Sequence, residues 1–280
     1  MRLAQRLALK YIRTRFSLLS SISKQKAAEK AFELFCTPQS RNKKKLPPVF
    51  EKAEKLEFVF EKNIVHGFRL NAGAEKKLLL LHGFESSVIN FDKYVNPLIK
   101  KGYEILAFDA PAHGRSGGKK IEVMLYKNLI ATIDKKFGPV HSFLAHSFGG
   151  LAVCLFLEDL PHDANTKLVL IAPATETKRA ADNFFNFLKL DDKLRAPFDK
   201  IIKEKGGHAA EWYSIARAAY NIKARVLFLQ DTEDELTPLA DVTPIINAGH
   251  NHFQFIISEG LGHRKIYRDA KSVRAIIEFL

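Results

Sequence analysis

Six short apolar runs follow one another along this chain, and helix-length segments separate most of them. The first is KLLLLHGF (77–84), the last is FQFIISEG (253–260), and each run finishes in polar or small residues. Continuous apolar strands that alternate with helices are typical of a parallel sheet covered on both faces. Ligands of such sheets bind at the carboxyl ends of the strands, which is where the polar residues gather here. The other four runs are YEILAFDAP (103–111), HSFLAHS (141–147), KLVLIAPA (167–174) and ARVLFLQD (224–231).

Two further β-type runs precede this pattern, and one connection within it is unusually long. KLEFVF and NIVHGFRL indicate an antiparallel pair that turns around Glu61–Lys62, so we expect eight strands in a mostly parallel sheet flanked by helices. About fifty residues of helical character separate Ala174 from Lys223, far more than a simple crossover needs. We interpret them as a small helical cap, at about 176–222, inserted above the carboxyl edge of the sheet.

The positive charge of the chain is concentrated at its start. Residues 1–45 contain twelve Lys or Arg and only two acids, and therefore supply +10 of the net charge of +13 carried by 280 residues. The nearly neutral remainder disfavours a nucleic-acid surface on the main body, and no nucleic-acid partner is predicted. We expect two parts: a basic helical arm and linker at 1–48, and one large α/β domain at 49–280.

The first sixteen residues, MRLAQRLALKYIRTRF, have the pattern of a basic amphipathic helix in which Arg2, Arg6, Lys10 and Arg13 share one arc. We interpret this helix as packed on the protein's own body. Peripheral contact with an anionic membrane surface and organelle import stay open as alternatives. No window of about eighteen uncharged apolar residues occurs, so no membrane span is predicted.

The two cysteines fit reduced thiols of a cytoplasmic protein, and membrane contact would be at the inner membrane surface.

The stretch FLAHSFGGLAV (143–153) places a serine between an apolar strand and a helix. A serine that attacks a carbonyl needs a base for its proton, a group that orients this base, and donors for the oxyanion. A sharp strand-to-helix turn lifts the hydroxyl clear of the sheet and requires small residues two before and two after it. Ala145, in place of the usual first glycine of G-x-S-x-G, and Gly149 meet this requirement. We therefore predict that Ser147 is a nucleophile.

The partners that such a serine needs occur at the ends of other strands. Asp234 comes just after one strand, and His263 lies in the loop that follows the last one. The order Ser147…Asp234…His263 is the order found in α/β-hydrolases. The backbone N–H groups of Phe84 and Phe148 are the predicted pair of oxyanion donors.

On these motifs the sequence resembles the α/β-hydrolase superfamily, and specifically its cap-bearing serine esterase and lipase-like members. The resemblance covers about residues 57–280 and depends on five stretches: HGF (82–84), FDAPAHGRSGG (108–118), AHSFGG (145–150), QDTEDELTP (230–238) and GLGHRK (260–265). It implies a hydrolase without cofactor or metal ion that uses Ser147, Asp234 and His263. It also implies that Phe84 and Phe148 hold the oxyanion.

Other residues near these motifs have alternative interpretations. Some hydrolases carry the acid after the preceding strand, which makes Glu176 the alternative to Asp234. Asp109 and His113 belong to a segment that forms a turn beside the site in this family, so we expect structural roles for both. His82 is expected to brace the oxyanion loop. Aromatic residues of the predicted cap fit either an acyl pocket or the cap's own core: Trp212, Tyr213 and the FFNF run at 184–187.

The resulting hypothesis is hydrolysis of a small-molecule carboxylic ester, or thioester, through an acyl-enzyme. A serine at the turn disfavours dehalogenases and epoxide hydrolases of this fold, which use aspartate. Phe148 stands where perhydrolase-like relatives tend to have methionine. Two rival functions stay open: acyl transfer from the same intermediate, and a non-catalytic ligand- or membrane-binding protein on the same scaffold.

Overall fold

The structure is a computed structural model that describes residues 3–41 and 44–280. Arg2 of the basic arm and residues 42–43 of the linker lie outside the described residues. The described strands are β1 (Glu54–Phe60), β2 (Asn63–Leu70), β3 (Lys76–Leu81), β4 (Tyr103–Phe108), β5 (Ser142–His146), β6 (Lys167–Ile171), β7 (Arg225–Asp231) and β8 (Phe253–Ser258). They form one sheet in the order β1-β2-β4-β3-β5-β6-β7-β8.

The prediction of an eight-stranded, mostly parallel sheet flanked by helices is confirmed. Each of the six apolar runs forms one strand, and β3 to β8 pair in parallel wherever they are neighbours. β2 runs antiparallel to both β1 and β4. Glu61 and Lys62, between β1 and β2, both have positive φ angles, 44° and 63°. Two central residues of this kind give a hairpin turn whose twist matches that of the strands.

Helices and short 3₁₀ segments connect the strands. The described helices are α1 (Leu3–Ile22), α2 (Lys24–Phe35), α3 (Pro48–Glu51), α4 (Asp92–Lys100), α5 (Val123–Phe137), α6 (Phe148–Leu157), α7 (Thr177–Leu188), α8 (Arg195–Gly206), α9 (Ile215–Ala218), α10 (Leu239–Asn247), α11 (Gly262–Lys265) and α12 (Ala270–Phe279). Among these helices we find none that combines the length and the apolar character needed to cross a bilayer.

Both faces of the sheet are covered because alternate side chains of the central strands point to opposite sides. Leu80 of β3 belongs to a buried cluster with Tyr94 of α4 and Ile276 of α12. On the other face, the ring of Phe143 in β5 packs edge-on against Phe156 in α6, with 6.0 Å between centroids. The buried polar residues His82, Asp109 and Asp234 instead lie just beyond the carboxyl ends of β3, β4 and β7, where the loops begin.

The described chain divides into two compact units. The sheet unit comprises Pro38–Thr175 and Ile215–Leu280, and the helical unit comprises residues 3–37 together with Glu176–Ser214. The amino-terminal helices α1 and α2 thus fold with α7 and α8 of the long connection, although the two segments are far apart in sequence.

Phenylalanine rings form much of the core of the helical unit. Phe35 of α2 contacts Phe184 of α7 and Phe198 of α8, with centroid separations of 5.3 Å and 5.6 Å. Phe185 packs edge-on against Phe198 at 5.1 Å. Arg13 of α1 adds a polar tie, because its guanidinium donates to the carbonyl oxygens at the end of α7, Phe187 and Leu188, at 2.7 Å and 3.2 Å.

Candidate active site

The backbone makes an abrupt turn at Ser147, between the end of β5 and the start of α6. Ser147 has φ 54° and ψ −121°, a conformation that non-glycine residues adopt only when the surrounding structure enforces it. Hydrogen bonds enforce it here, because Ser147 N–H donates to Ile171 O at 3.1 Å and Ser147 O accepts from Ala174 N–H at 3.0 Å. A Cβ at Gly149 would lie 2.8 Å from the carbonyl oxygens of Leu81 and His82, so this position requires glycine.

Three side chains from three separate connections between strands and helices meet at this turn, and His263 lies in the one-turn helix α11. The distance from His263 Nε2 to Ser147 Oγ is 3.0 Å, and the distance from His263 Nδ1 to Asp234 Oδ2 is 2.8 Å. Because a carboxylate only accepts, Nδ1 carries the proton, which leaves Nε2 to accept from the serine hydroxyl. This tautomer is the one that a general base at Nε2 requires.

The environment keeps Asp234 ionised. Burial pushes the pKa of Asp234 up, but hydrogen bonds from His263 and Thr237 outweigh burial, and the pKa is lowered from its usual value. The amides of Leu236 and Thr237 both donate to Oδ1 at 2.9 Å, and the Thr237 hydroxyl donates to Oδ2 at 2.7 Å. Asp234 therefore presents a negative charge, held in position on both oxygens, to the imidazole of His263.

A second aspartate, Asp231, fixes the loop that carries His263. Its carboxylate accepts from the amides of Gly262 and Leu261 at 2.8 Å and 3.1 Å, and from the hydroxyl of Ser258 at 2.6 Å. Sequence reasoning did not single out Asp231 and missed this contact. The two donors in the His263 loop, Leu261 and Gly262, are backbone amides, so the residue types of that loop could not have signalled the contact.

His146, the residue before the turn, ties the same loop to β5. Its Nε2 lies 3.0 Å from the carbonyl oxygen of His263, and its ring packs at a tilt of 47° against the ring of His263, with 4.8 Å between centroids. Burial lowers the pKa of His146 to about 3, so it stays neutral and donates from Nε2. Sequence reasoning missed this residue as well, because its hydrogen bond goes to a main-chain atom.

The two predicted oxyanion donors lie on backbone that touches the serine. A Cβ at Gly83 would lie only 2.8 Å from Ser147 Cβ, so the loop carrying Phe84 passes directly beside the turn. Phe148 is the first residue of α6, where amide groups have no acceptor within the helix. The Phe84 and Phe148 rings meet edge to face with a centroid separation of 5.9 Å.

Three other polar residues of this edge bond to the backbone. His82 Nδ1 donates to Gly83 O at 2.7 Å and its Nε2 accepts from Ala110 N–H at 3.0 Å. His113 Nδ1 donates to the carbonyl oxygen of Pro111 at 2.9 Å and its Nε2 accepts from the Glu85 amide, also at 2.9 Å. Asp109 accepts from the amides of Val88 and Arg115, at 3.1 Å and 3.0 Å.

The remaining candidates lie in the helical unit. Glu176, the alternative acid, precedes α7 and accepts from the hydroxyl of Ser214 at 3.4 Å, whereas Asp234 is the carboxylate bound to His263. Tyr213 is buried, and Trp212 stacks on His208 with 3.9 Å between centroids. With Phe184 and Phe185, Tyr213 contributes to the core of this unit.

The described residues contain no group of three or more His, Cys, Asp or Glu side chains arranged to hold a metal ion.

Comparisons with known proteins agree with this architecture. The family model described as serine aminopeptidase, S33, matches residues 72–204. An esterase of Pyrococcus furiosus, Pf2001, superposes with a TM-score of 0.63 at 21% identity, over 88% of this chain and 97% of that one. A monoacylglycerol lipase of Paleococcus ferrophilus gives a TM-score of 0.58 at 23% identity, over 76% and 97%. A Mycobacterium phage D29 protein that was given the name of a non-heme haloperoxidase is 24% identical over 207 residues, 68% of this chain and 73% of that protein.

The sheet order and the strand-turn-helix at Ser147 define the class of protein: an α/β-hydrolase fold with a polar site at the carboxyl edge of its sheet. The chain thus has the α/β-hydrolase fold that it shares with the esterase and the lipase named above.

Proposed function

We propose that this protein is a serine hydrolase that cleaves carboxylic esters, or thioesters, through an acyl-enzyme. The observation that carries the proposal is the continuous hydrogen-bond path from Ser147 Oγ through the His263 ring to Asp234, with segments of 3.0 Å and 2.8 Å. Such a path supplies the base and its orienting group that an unactivated hydroxyl needs in order to attack a carbonyl.

The acylation step follows from the protonation states of these groups. As Ser147 Oγ bonds to the acyl carbon, its proton moves to His263 Nε2, and the ionised Asp234 stabilises the imidazolium that forms. The negative charge develops on the former carbonyl oxygen, beside the N–H groups of Phe84 and Phe148. The intermediate then collapses: its bond to the alcohol or thiol breaks, and that leaving group takes the proton from Nε2.

Deacylation repeats the sequence with water. His263 Nε2 accepts a proton from the water, whose oxygen attacks the acyl carbon, and the Ser147–acyl bond breaks. The proton returns to Ser147 Oγ, the carboxylic acid is released, and the free enzyme is restored. No other group is consumed in this cycle.

Apolar side chains beside the reacting groups favour an apolar acyl chain. The Phe84 ring is 37% exposed and packs on Phe148, so an aromatic surface adjoins both oxyanion donors. Leu236, two residues after Asp234, is 56% exposed. An acyl chain that covers these side chains would gain the free energy of apolar burial, which a charged acyl group would not.

The proposal is tested by covalent labelling and by turnover of p-nitrophenyl esters of graded acyl length. A fluorophosphonate probe should label the wild-type chain once, at Ser147. Ser147→Ala should abolish labelling and lower kcat by about 10⁶-fold, the scale seen when the nucleophile of such a triad is removed. Ser40→Ala, at an exposed loop position, is the matched control and should retain both. An unlabelled wild-type chain, or a Ser147→Ala chain with wild-type kcat, contradicts the proposal.

A further inference from the structure

Helix α1 carries an uncovered row of apolar side chains, which we call the α1 stripe: Leu7, Tyr11, Leu18 and Ile22. Their exposed fractions are 59%, 67%, 63% and 82%. At 3.6 residues per turn they fall within an arc of about 60°, and the row is about 22 Å long. Single exposed apolar residues are ordinary on protein surfaces, but an aligned row of them marks an interaction site.

The opposite side of α1 packs against other helices of the same unit. Phe16, about half a turn away from the α1 stripe, is buried, and α1 contacts α2 and α7 within the helical unit. The α1 stripe is therefore not the face that holds the helix in the fold. It is a second apolar face, and its burial requires something outside the chain.

The charges around the α1 stripe are of one sign. Lys10 and Arg15 flank it on its two sides, and both are exposed. The first acidic residue of the whole chain is Glu29, beyond the end of α1. A second copy of this surface would bring like charges together, whereas an anionic surface would neutralise them.

More cations lie on the neighbouring flank of the helix. A cavity of about 410 Å³ opens there between α1 and the α7–α8 connection, lined by Arg13, Lys24, Lys189 and Lys193, several serines and one acid, Asp191. Ammonium, guanidinium and serine hydroxyl groups are the donors that phosphate oxygens accept from. The cavity thus extends the positive field of α1 and has the size and donors for phosphate headgroups.

We propose that α1 lies in the interface of an anionic lipid bilayer, with the α1 stripe inserted at the level of the headgroups and the flanking cations on lipid phosphates. An apolar row containing a tyrosine, bordered by Lys and Arg and too polar overall to span the bilayer, is the pattern of an interfacial helix. This inference concerns an interaction surface and does not depend on the proposed hydrolase activity.

The test is co-sedimentation with vesicles of phosphatidylcholine containing 30% phosphatidylserine, compared with pure phosphatidylcholine vesicles. The wild-type chain and Ser147→Ala should bind equally, so that turnover of vesicle lipid is not mistaken for binding. Leu18→Gln combined with Ile22→Gln should weaken binding more than about tenfold, because two inserted side chains are lost. Lys10→Gln and Arg15→Gln should each weaken it about fivefold, as should Lys24→Gln.

Matched controls test whether the position of these residues on α1, and not only their residue type, is responsible for binding. Tyr220→Gln removes an equally exposed aromatic residue from the sheet unit, and Lys55→Gln with Lys62→Gln removes two exposed cations there. These variants should bind like the wild type. All variants, Ser147→Ala included, should keep the wild-type melting temperature, which shows that they are folded.

Several results would overturn the proposal. One is a wild-type chain that stays in the supernatant with the phosphatidylserine vesicles, and another is equal binding to both vesicle types. Sedimentation of the Leu18/Ile22 double variant like the wild type would show that the α1 stripe is not the contact. A concentration-dependent dimer in analytical ultracentrifugation that the same double variant abolishes would identify a second copy as the partner instead.

Discussion

Two clusters of His and Asp lie at strand ends of this sheet, and they use their hydrogen bonds in opposite ways. In the first, His82, His113 and Asp109 direct their ring nitrogens and carboxylate oxygens to main-chain N–H and C=O groups. In the second, both ring nitrogens of His263 meet side chains, Asp234 on one side and Ser147 on the other. The residue types are the same in both clusters, so composition does not distinguish them.

The difference lies in what remains available for chemistry. A ring nitrogen that already accepts from a backbone amide cannot take a proton from a substrate or a nucleophile without breaking that bond. Burial also lowers the pKa of His113 to about 3, which keeps it neutral in this arrangement. The first cluster therefore shapes the loops, and the second can move a proton between atoms that react.

Among the aspartates of the two clusters, Asp234 should show the largest effect when it is replaced, in the variant Asp234→Asn. Asparagine can present an N–H to His263 Nδ1 and so favour the tautomer that protonates Nε2, which then cannot accept from Ser147. We expect kcat to fall by about 10⁴-fold while the melting temperature changes little. Steady-state kinetics with a soluble ester and a thermal melt measure the two quantities, and a variant that keeps more than a tenth of the wild-type kcat would contradict the role of Asp234.

Asp109→Asn should have the reverse outcome. The carboxylate of Asp109 accepts from two backbone amides, and an asparagine side chain can satisfy only one of them through oxygen. We expect the free energy of unfolding in urea to fall by roughly 1–3 kcal/mol, because one buried N–H loses its acceptor. The kcat per fluorophosphonate-titrated site should stay within about threefold of the wild type. A loss of kcat without a loss of stability would contradict this structural role and show that Asp109 takes part in the reaction.

The smallest expected effect concerns Asp231 and is a change in how stability depends on pH. Although burial raises the pKa of this carboxyl, hydrogen bonds from Ser258 and from the amides of Gly262, Glu233 and Leu261 hold it below its usual value. The unfolded chain therefore binds the proton first as pH falls. The stabilisation from Asp231 is complete above the unfolded pKa of about 4 and is lost as pH drops through the lower folded value. Urea unfolding between pH 6 and pH 3 should show a shallower loss of stability in Asp231→Asn than in the wild type; parallel curves would be the contrary result.

The sequence predicted the sheet well because its signals are local. An apolar run such as KLVLIAPA must be buried on both faces, and a serine between Ala145 and Gly149 fits one kind of turn. The structure brings Ser147, Asp234 and His263 together as the loop order suggests, and their catalytic roles stay predictions until they are measured.

The features that the sequence did not reveal depend on hydrogen bonds to the backbone or on contacts between helices that are far apart in sequence. Asp231 and His146 act on backbone groups of the His263 loop, and a backbone amide or carbonyl leaves no mark in the residue pattern. The pairing of α2 with α7 and α8 uses phenylalanines that could equally have packed on the sheet. Only the folded chain distinguishes these alternatives.

That pairing also constrains how the protein is made. The segment ending at residue 37 is synthesised about 180 residues before its partner segment Glu176–Ser214 is complete. At about 5–20 residues per second, this delay lasts on the order of ten seconds or more. Throughout it the phenylalanine side of α2 is bare on the nascent chain, while the strands from β1 to β6 are being synthesised. Helix α2 is thus synthesised early and finds its partners late, and its removal would leave the rings of α7 and α8 uncovered in the finished molecule.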